Sequence, residues 1–172
     1  MKLIPALILS ACTHAMVQAP AYAQSVADCY QTTLEQPSRP DRIIAVCTEA
    51  IRGSSGLSRS SALVSRGVGH ERNNNLDAAL ADFDEAIALN PSNNWARSNR
   101  ANIWRQKRNY DRAISELNEI LRNDPQFIGA YVDRGMVHQE RGDIQSARAD
   151  FQAVLGMKSS QAALEKWAKE TA

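Results

Sequence analysis

The sequence lacks a charge excess. Its 172 residues carry 20 basic and 19 acidic side chains, a formal charge of +1, whereas a dedicated nucleic-acid binder normally shows a clear basic surplus. It also lacks an apolar run long enough to cross a membrane. The most apolar segment lies at the N-terminus and is interrupted by Pro5, Cys12, His14, Gln18 and Pro20, where a spanning helix needs about 20 clean apolar residues. No stretch alternates apolar and polar residues in the manner of a half-buried strand, so an all-helical chain is expected. No G-x-S-x-G elbow is present, and no glycine-rich loop follows a strand to cradle phosphate. Titratable side chains do not fall into an acid–base or metal-ligand constellation, so no catalytic residue, metal or cofactor is expected.

What is present is a period of 34 residues. Asn90-Pro91 recurs as Asp124-Pro125, and Ala79, Ala113 and Ala147 keep the same step. Phe83, Leu117 and Phe151 hold that register, as do Gly67, Ala101 and Gly135, each preceded by an arginine at Arg66, Arg100 and Arg134. A repeat of this length is one supersecondary unit stacked several times, each copy burying its apolar face against a neighbour. His70 and His138 share a column with Trp104, so they replace an aromatic two repeats apart and are too distant to share one metal or proton.

The repeat unit reads as a pair of helices. From Leu76 to Leu89, residues Leu76, Ala79, Leu80, Phe83, Ala86 and Ile87 follow the i, i+3, i+4, i+7 spacing of one helical stripe, with Asp77, Asp82, Asp84 and Glu85 elsewhere. Gly67, Ala101 and Gly135 stand where a bulky side chain would hold the paired helices apart. Pro91 and Pro125 end the second helix of their repeats, since proline has no amide donor and biases its predecessor away from helix.

These columns resemble the tetratricopeptide repeat, whose pattern is a small residue in the first helix, alanine and an aromatic in the second, and proline at the exit. The resemblance covers Ser60 to Gln161 as three repeats, residues 60–93, 94–127 and 128–161. The second departs at Ala101, Leu117 and Ile120, and the third carries Val154 for alanine and Ser159 for the closing proline. The resemblance implies a right-handed superhelical stack of antiparallel helix pairs whose first helices line a concave groove for a peptide or helix. By register that groove would present Ser61, Val64, Ser65 and Val68, then Trp95, Ser98, Asn99 and Asn102, then Val132, Asp133 and Met136. Asn99 and Asn102 would grip a peptide backbone through donor and acceptor together, with Trp95 and Met136 as apolar anchors. Val64, Val68, Gly129 and Asp133 occupy columns of the carboxylate clamp that captures chaperone C-termini, and only Asn99 agrees with it, so chaperone-tail binding is not expected.

Met1 to Ala23 has one positive charge at Lys2, an apolar stretch from Leu3 to Leu9, and the small-residue site Ala21-Tyr22-Ala23 before Gln24. This is the pattern of a secretory signal peptide cleaved after Ala23, residues 1–23, leaving a periplasmic or secreted protein without an integral membrane segment. A rival reading takes Leu9-Ser10-Ala11-Cys12 as a lipobox, with Cys12 lipidated as the mature N-terminus; a membrane anchor is a weaker alternative. Ordinary cleavage removes Cys12 and leaves Cys29 and Cys47, an even pair expected to form a disulfide in an oxidising compartment. Two buried free thiols are the alternative. Cys47 takes the place of Phe83 in Asp41 to Ile51, and Cys29 lies in a preceding helix from Val26 to Glu35. Residues 24–59 therefore read as an N-terminal hairpin resembling a degenerate repeat, followed by the Gly53-Ser54-Ser55-Gly56 linker.

Arg97, Arg100, Arg105, Lys107, Arg108 and Arg112 crowd one stretch, just after Asp77, Asp82, Asp84 and Glu85. Stacked helices would set these acids beside these bases; a basic docking patch is the second reading. Residues 162–172 are expected to form a separate capping helix, with Leu164, Trp167 and Ala168 on one face. Taken together, the expectation is a non-enzymatic adaptor binding another protein or peptide of the cell envelope. A lipid-anchored assembly factor and a self-associating structural protein are the alternatives.

Overall fold

The computed structural model describes the backbone of residues 21–171 and the side chains of residues 25–158. Within these residues the chain is all helical: α1 (Ala21–Glu35), α2 (Pro40–Arg52), α3 (Gly56–Arg72), α4 (Leu76–Leu89), α5 (Asn94–Gln106), α6 (Tyr110–Asn123), α7 (Ile128–Arg141) and α8 (Ile144–Thr171). Cys12 and residues 1–20 of the expected leader lie outside the described residues, as do the side chains of Leu164, Trp167 and Ala168.

Each helix pair closes through the same turn. Asn74, Arg108 and Gly142 occupy equivalent positions in it with φ of 58°, 58° and 91°, a left-handed conformation that asparagine and glycine adopt readily and arginine rarely. The following residue caps the second helix. Asn75 accepts the amide of Ala78, Asn109 that of Arg112, and Asp143 that of Ser146, each satisfying a donor left free by the first helical turn. Between repeats the chain leaves α4 at Leu89 and α6 at Asn123, ahead of Pro91 and Pro125, as the sequence implied.

Helices pack with their sequential neighbours, and the odd-numbered ones also pack side by side. α1 meets α3, α3 meets α5 and α5 meets α7, while no such contact joins α2 to α4 or α4 to α6 among the described residues. The odd helices thus form an inner row, and the even helices flank it. The core threads between the rows: Ile43, Cys47, Leu63 and Ala86 are buried in one cluster, Phe83 and Ile103 in the next, Leu117, Ile120 and Val137 in the third.

The repeating arginines have a structural task that periodicity alone did not disclose. Arg66 donates to both oxygens of Asp82 at 2.9 and 2.6 Å, and Arg134 to both oxygens of Asp150 at 3.0 and 2.6 Å. Arg100 meets Glu116 at the equivalent place through one bond only, from a terminal guanidinium nitrogen to one carboxylate oxygen. Each also reaches back one repeat: Arg66 to the Thr48 hydroxyl at 3.4 Å, Arg100 to Asp84 at 2.7 Å and Arg134 to Asn118 at 2.5 Å. Asp82 and Asp150 are buried, so the pairing offsets a desolvation cost that an isolated carboxylate could not bear.

Two expectations are corrected. Among the described residues the segment expected as a separate capping helix, 162–172, continues the preceding helix as far as Thr171: α8 runs unbroken from Ile144 to Thr171. Ser159 keeps the amide that a proline would have lost, so nothing interrupts the ladder of i→i−4 bonds. And α1 starts at Ala21, earlier than Val26, inside the segment expected to hold the leader's cleavage site. Cys29 and Cys47 are both buried and stand at disulfide distance, their Cα atoms 4.7 Å apart, between α1 and α2.

Candidate partner-binding groove

The inner row carries a cleft of about 450 Å³ between α1, α3 and α5. Its floor is Val64, Ser65 and Val68 of α3; its walls are Tyr30, Thr33 and Leu34 of α1, and Asn93, Trp95 and Asn99 at the start of α5. The cleft is apolar and open. Tyr30 is 60% exposed, Leu34 58% and Trp95 67%, so three large side chains from two helices are presented to solvent around one depression. Trp95 is held in place by an edge-to-face contact with Phe127, ring centroids 5.1 Å apart, which fixes its orientation before any partner arrives.

Of the residues implied by the resemblance, Val64, Val68, Trp95 and Asn99 converge on this cleft. Asn99 makes no hydrogen bond to any described residue, so its amide remains available. Asn102 does not. Its Nδ2 donates to Glu71 at 2.7 Å, and its Oδ1 accepts from Arg105 at 3.0 and 2.6 Å. The pair of asparagines expected to grip a peptide is therefore reduced to one, because the second is used inside the fold. Ser98 is buried and donates to Asp133 across the α5–α7 contact. Val132 is half-buried, and Met136 is exposed further along α7. None of Ser98, Asn102, Val132, Asp133 and Met136 lines the cleft.

Beyond the cleft, the inner surface turns polar. Glu71 accepts from Asn102 and from Gln106 at 2.6 Å, and Arg105 forms an ion pair with Glu140. Burial pushes the carboxyl groups of Glu71 and Asp133 above their ordinary range; amide donation from Gln106 and the Ser98 hydroxyl act in the opposite sense. Neither acid belongs to an ion pair among the described residues.

Four cations of the crowded basic stretch, Arg97, Arg100, Arg105 and Lys107, meet acids of neighbouring helices, whereas Arg108 and Arg112 form no ion pair among the described residues. Arg97 lies 3.6 Å from Glu116, Arg100 meets Asp84 and Glu116, Lys107 lies 2.8 Å from Asp77, and Arg112 stacks over Trp104 at 4.7 Å. This is the reading in which stacked helices set acid beside base. His70 lies 3.9 Å from Asp82, yet burial outweighs that carboxylate and lowers the imidazole's pKa. No group of three or more histidine, cysteine or acidic side chains is placed to hold a metal ion among the described residues. No helix among them is long and apolar enough to cross a membrane.

Tyr30, Thr33 and Leu34 escaped the sequence reading. The hairpin they belong to is out of step with the 34-residue period, since Asp41–Ile51 matches Asp77–Ile87 rather than a segment one period on. Columns could not be carried back into α1. The signal that could have found them is local: Cys29 and Thr33 are buried on one side of α1, and Tyr30 and Leu34, four residues apart, share the adjoining exposed face.

Residues 65–126 match the family model for the tetratricopeptide repeat, and helix pairs stacked in the same manner continue on both sides of that segment. It is 29% identical over 119 residues to a TPR repeat-containing thioredoxin, TTL4, of Arabidopsis thaliana, an alignment covering 69% of this chain and 17% of that protein. Its fold is similar to that of crystalline MamA, with a TM-score of 0.70 and 18% identity over 83% of this chain and 81% of that one. It is also similar to the second TPR of Spaghetti (RPAP3) bound to the HSP90 peptide SRMEEVD, with a TM-score of 0.53 and 22% identity over 57% of this chain and 91% of that one.

Proposed function

We propose that this chain is a non-enzymatic adaptor of the bacterial periplasm that holds a peptide or helix of another envelope or secreted protein in its inner groove. The observation that carries the reading is the cleft: Tyr30, Leu34 and Trp95 stand exposed around the valines of α3, with the free amide of Asn99 beside them. Aromatic anchors around an apolar depression are what peptide recognition uses, and a solved TPR structure of similar fold carries a bound peptide. The N-terminal signal pattern and the Cys29–Cys47 pair, here read as a disulfide, support an oxidising compartment.

The test is site-specific photocrosslinking from Ser61, which lines the cleft, in cells expressing the full chain. A discrete crosslinked protein that disappears with Trp95→Ala supports the adaptor. No crosslink from Ser61, with abundant crosslinks from the outer helices, would place binding elsewhere.

The self-associating alternative also has an observation behind it. A second cleft of about 460 Å³ lies at the far end of the stack, between α7 and α8, with Ile144 and Leu155 exposed on it. Leu155 shares a column with Ile87 and Leu121, both packed against buried clusters. Sedimentation of the full chain, with Leu155→Glu as the control, separates this reading from a monomeric adaptor.

A further inference from the structure

Glu71 and Asp133 differ from the other acids of the inner surface. Both are partly buried, both are fixed by hydrogen bonds, and every donor that reaches them is neutral: Asn102 and Gln106 for Glu71, Ser98 for Asp133. The nearby cations are turned to other tasks. Arg72 donates to the Thr33 carbonyl at 3.1 Å, and Arg105 is divided between Asn102 and Glu140. Elsewhere in the stack carboxylates at comparable depth are met by arginine, as Asp82, Glu116 and Asp150 are. Two oriented carboxylates on the inner face thus form no direct ion pair among the described residues; Arg105 acts on both, and Arg72 on Glu71, only through space.

Their position relative to the cleft matters. Glu71 follows Val68 by three residues on α3, and Asn102 follows Asn99 by three on α5, so each lies one turn, about 4.5 Å, further along the same helix face. An occupant that seats an apolar side chain among Val64, Val68 and Trp95 brings its neighbouring residues beside Glu71. We infer that the segment held in this groove combines an apolar anchor with an adjacent lysine or arginine, the cation settling against Glu71 and Asp133. This inference rests on the groove reading above and adds the polarity of its occupant. A carboxylate-rich segment is the unfavourable case, because it would meet two like charges that no direct ion pair offsets. A cation arriving there makes charge-assisted hydrogen bonds in a partly desolvated setting, where they are stronger than at an open surface.

The test is selection of phage-displayed random peptides on the full chain, repeated on Trp95→Ala and on the double variant Glu71→Gln/Asp133→Asn, whose amides keep an oxygen for the same donors. The expected result is enrichment of peptides with a lysine or arginine next to an aromatic or aliphatic residue, binding on the order of tenfold to a hundredfold more weakly to the double variant. If the double variant does not fold, replacing the selected peptide's lysine by norleucine must weaken binding to the unmodified chain by the same order. Peptides that require Trp95 but show no basic preference, or an acidic one, overturn the polarity and leave the groove intact. Peptides indifferent to Trp95→Ala overturn the groove and the polarity with it.

Discussion

Gly67 and Phe83 touch so closely that a Cβ on the glycine would stand 2.5 Å from the ring's Cε1. Gly135 and Phe151 repeat the relationship at 2.7 Å. The middle repeat departs at both positions together, with Ala101 and Leu117 in one buried cluster: the smaller, non-aromatic side chain makes room for the extra methyl. Leu117→Phe alone is therefore expected to destabilise the chain by about 1–3 kcal/mol through overpacking. Adding Ala101→Gly should recover much of that loss, although glycine by itself weakens a helix. A double-mutant cycle in urea checks it; strictly additive effects would contradict the compensation.

Asp82→Ala should be among the more damaging single changes. It strips Arg66 of its bidentate partner in a partly buried setting, for an expected loss of about 3 kcal/mol. Replacing both residues by apolar ones of similar volume should cost much less. Thermal melts of the parent and the two variants distinguish a net-favourable pair from one whose value lies in mutual neutralisation.

Glu71 and Asp133 give stability a pH dependence of known sign. Their carboxyls are raised in the fold above the ordinary 4.5 and 3.8, so the folded state holds its protons longer than the unfolded one. The stability this contributes is complete below the ordinary values and is lost as pH rises through the folded values. Glu71→Gln/Asp133→Asn removes that loss. Urea titrations should show the double variant gaining on the parent from mildly acidic to neutral pH, with no gain at more acidic pH.

Reduction of the Cys29–Cys47 pair, if it is oxidised in the native protein, should lower stability by about 3 kcal/mol, given 18 residues of separation. Intact mass of protein from its native envelope, with and without reductant and alkylation, reads the bond and the mature N-terminus together. A mass starting at Gln24 with both thiols oxidised fits the soluble periplasmic reading; a lipid-modified mass starting at Cys12 replaces it with the membrane-tethered one.

The stack was legible in the sequence because packing and turn chemistry recur at one spacing: the glycine–aromatic contacts, the exit prolines and the helix stripes each follow from a local rule. The groove was legible only where the register held. Val64, Val68, Trp95 and Asn99 were found by column, whereas Tyr30 and Leu34 sit before a shift in register. That Asn102 is already bonded was hidden for a different reason. Its partners Glu71 and Arg105 come from a neighbouring helix and from its own next turn, and a column gives the direction a side chain faces without saying what already holds it. The long α8 followed from a residue that is missing, the third exit proline, whose consequence is plain only when the helix is seen to continue.

The arginine ladder bears on how the molecule comes apart. Since Arg66, Arg100 and Arg134 each bond to their own repeat and the one before it, peeling away a single helix pair breaks a bond to Thr48 or Asn118, or the ion pair with Asp84. These contacts oppose independent fraying of repeats, so the array is expected to melt as one unit rather than as a string of loosely joined ones. Amide hydrogen exchange should accordingly show the outer helices α4 and α6 opening together, at a common free energy close to that of global unfolding.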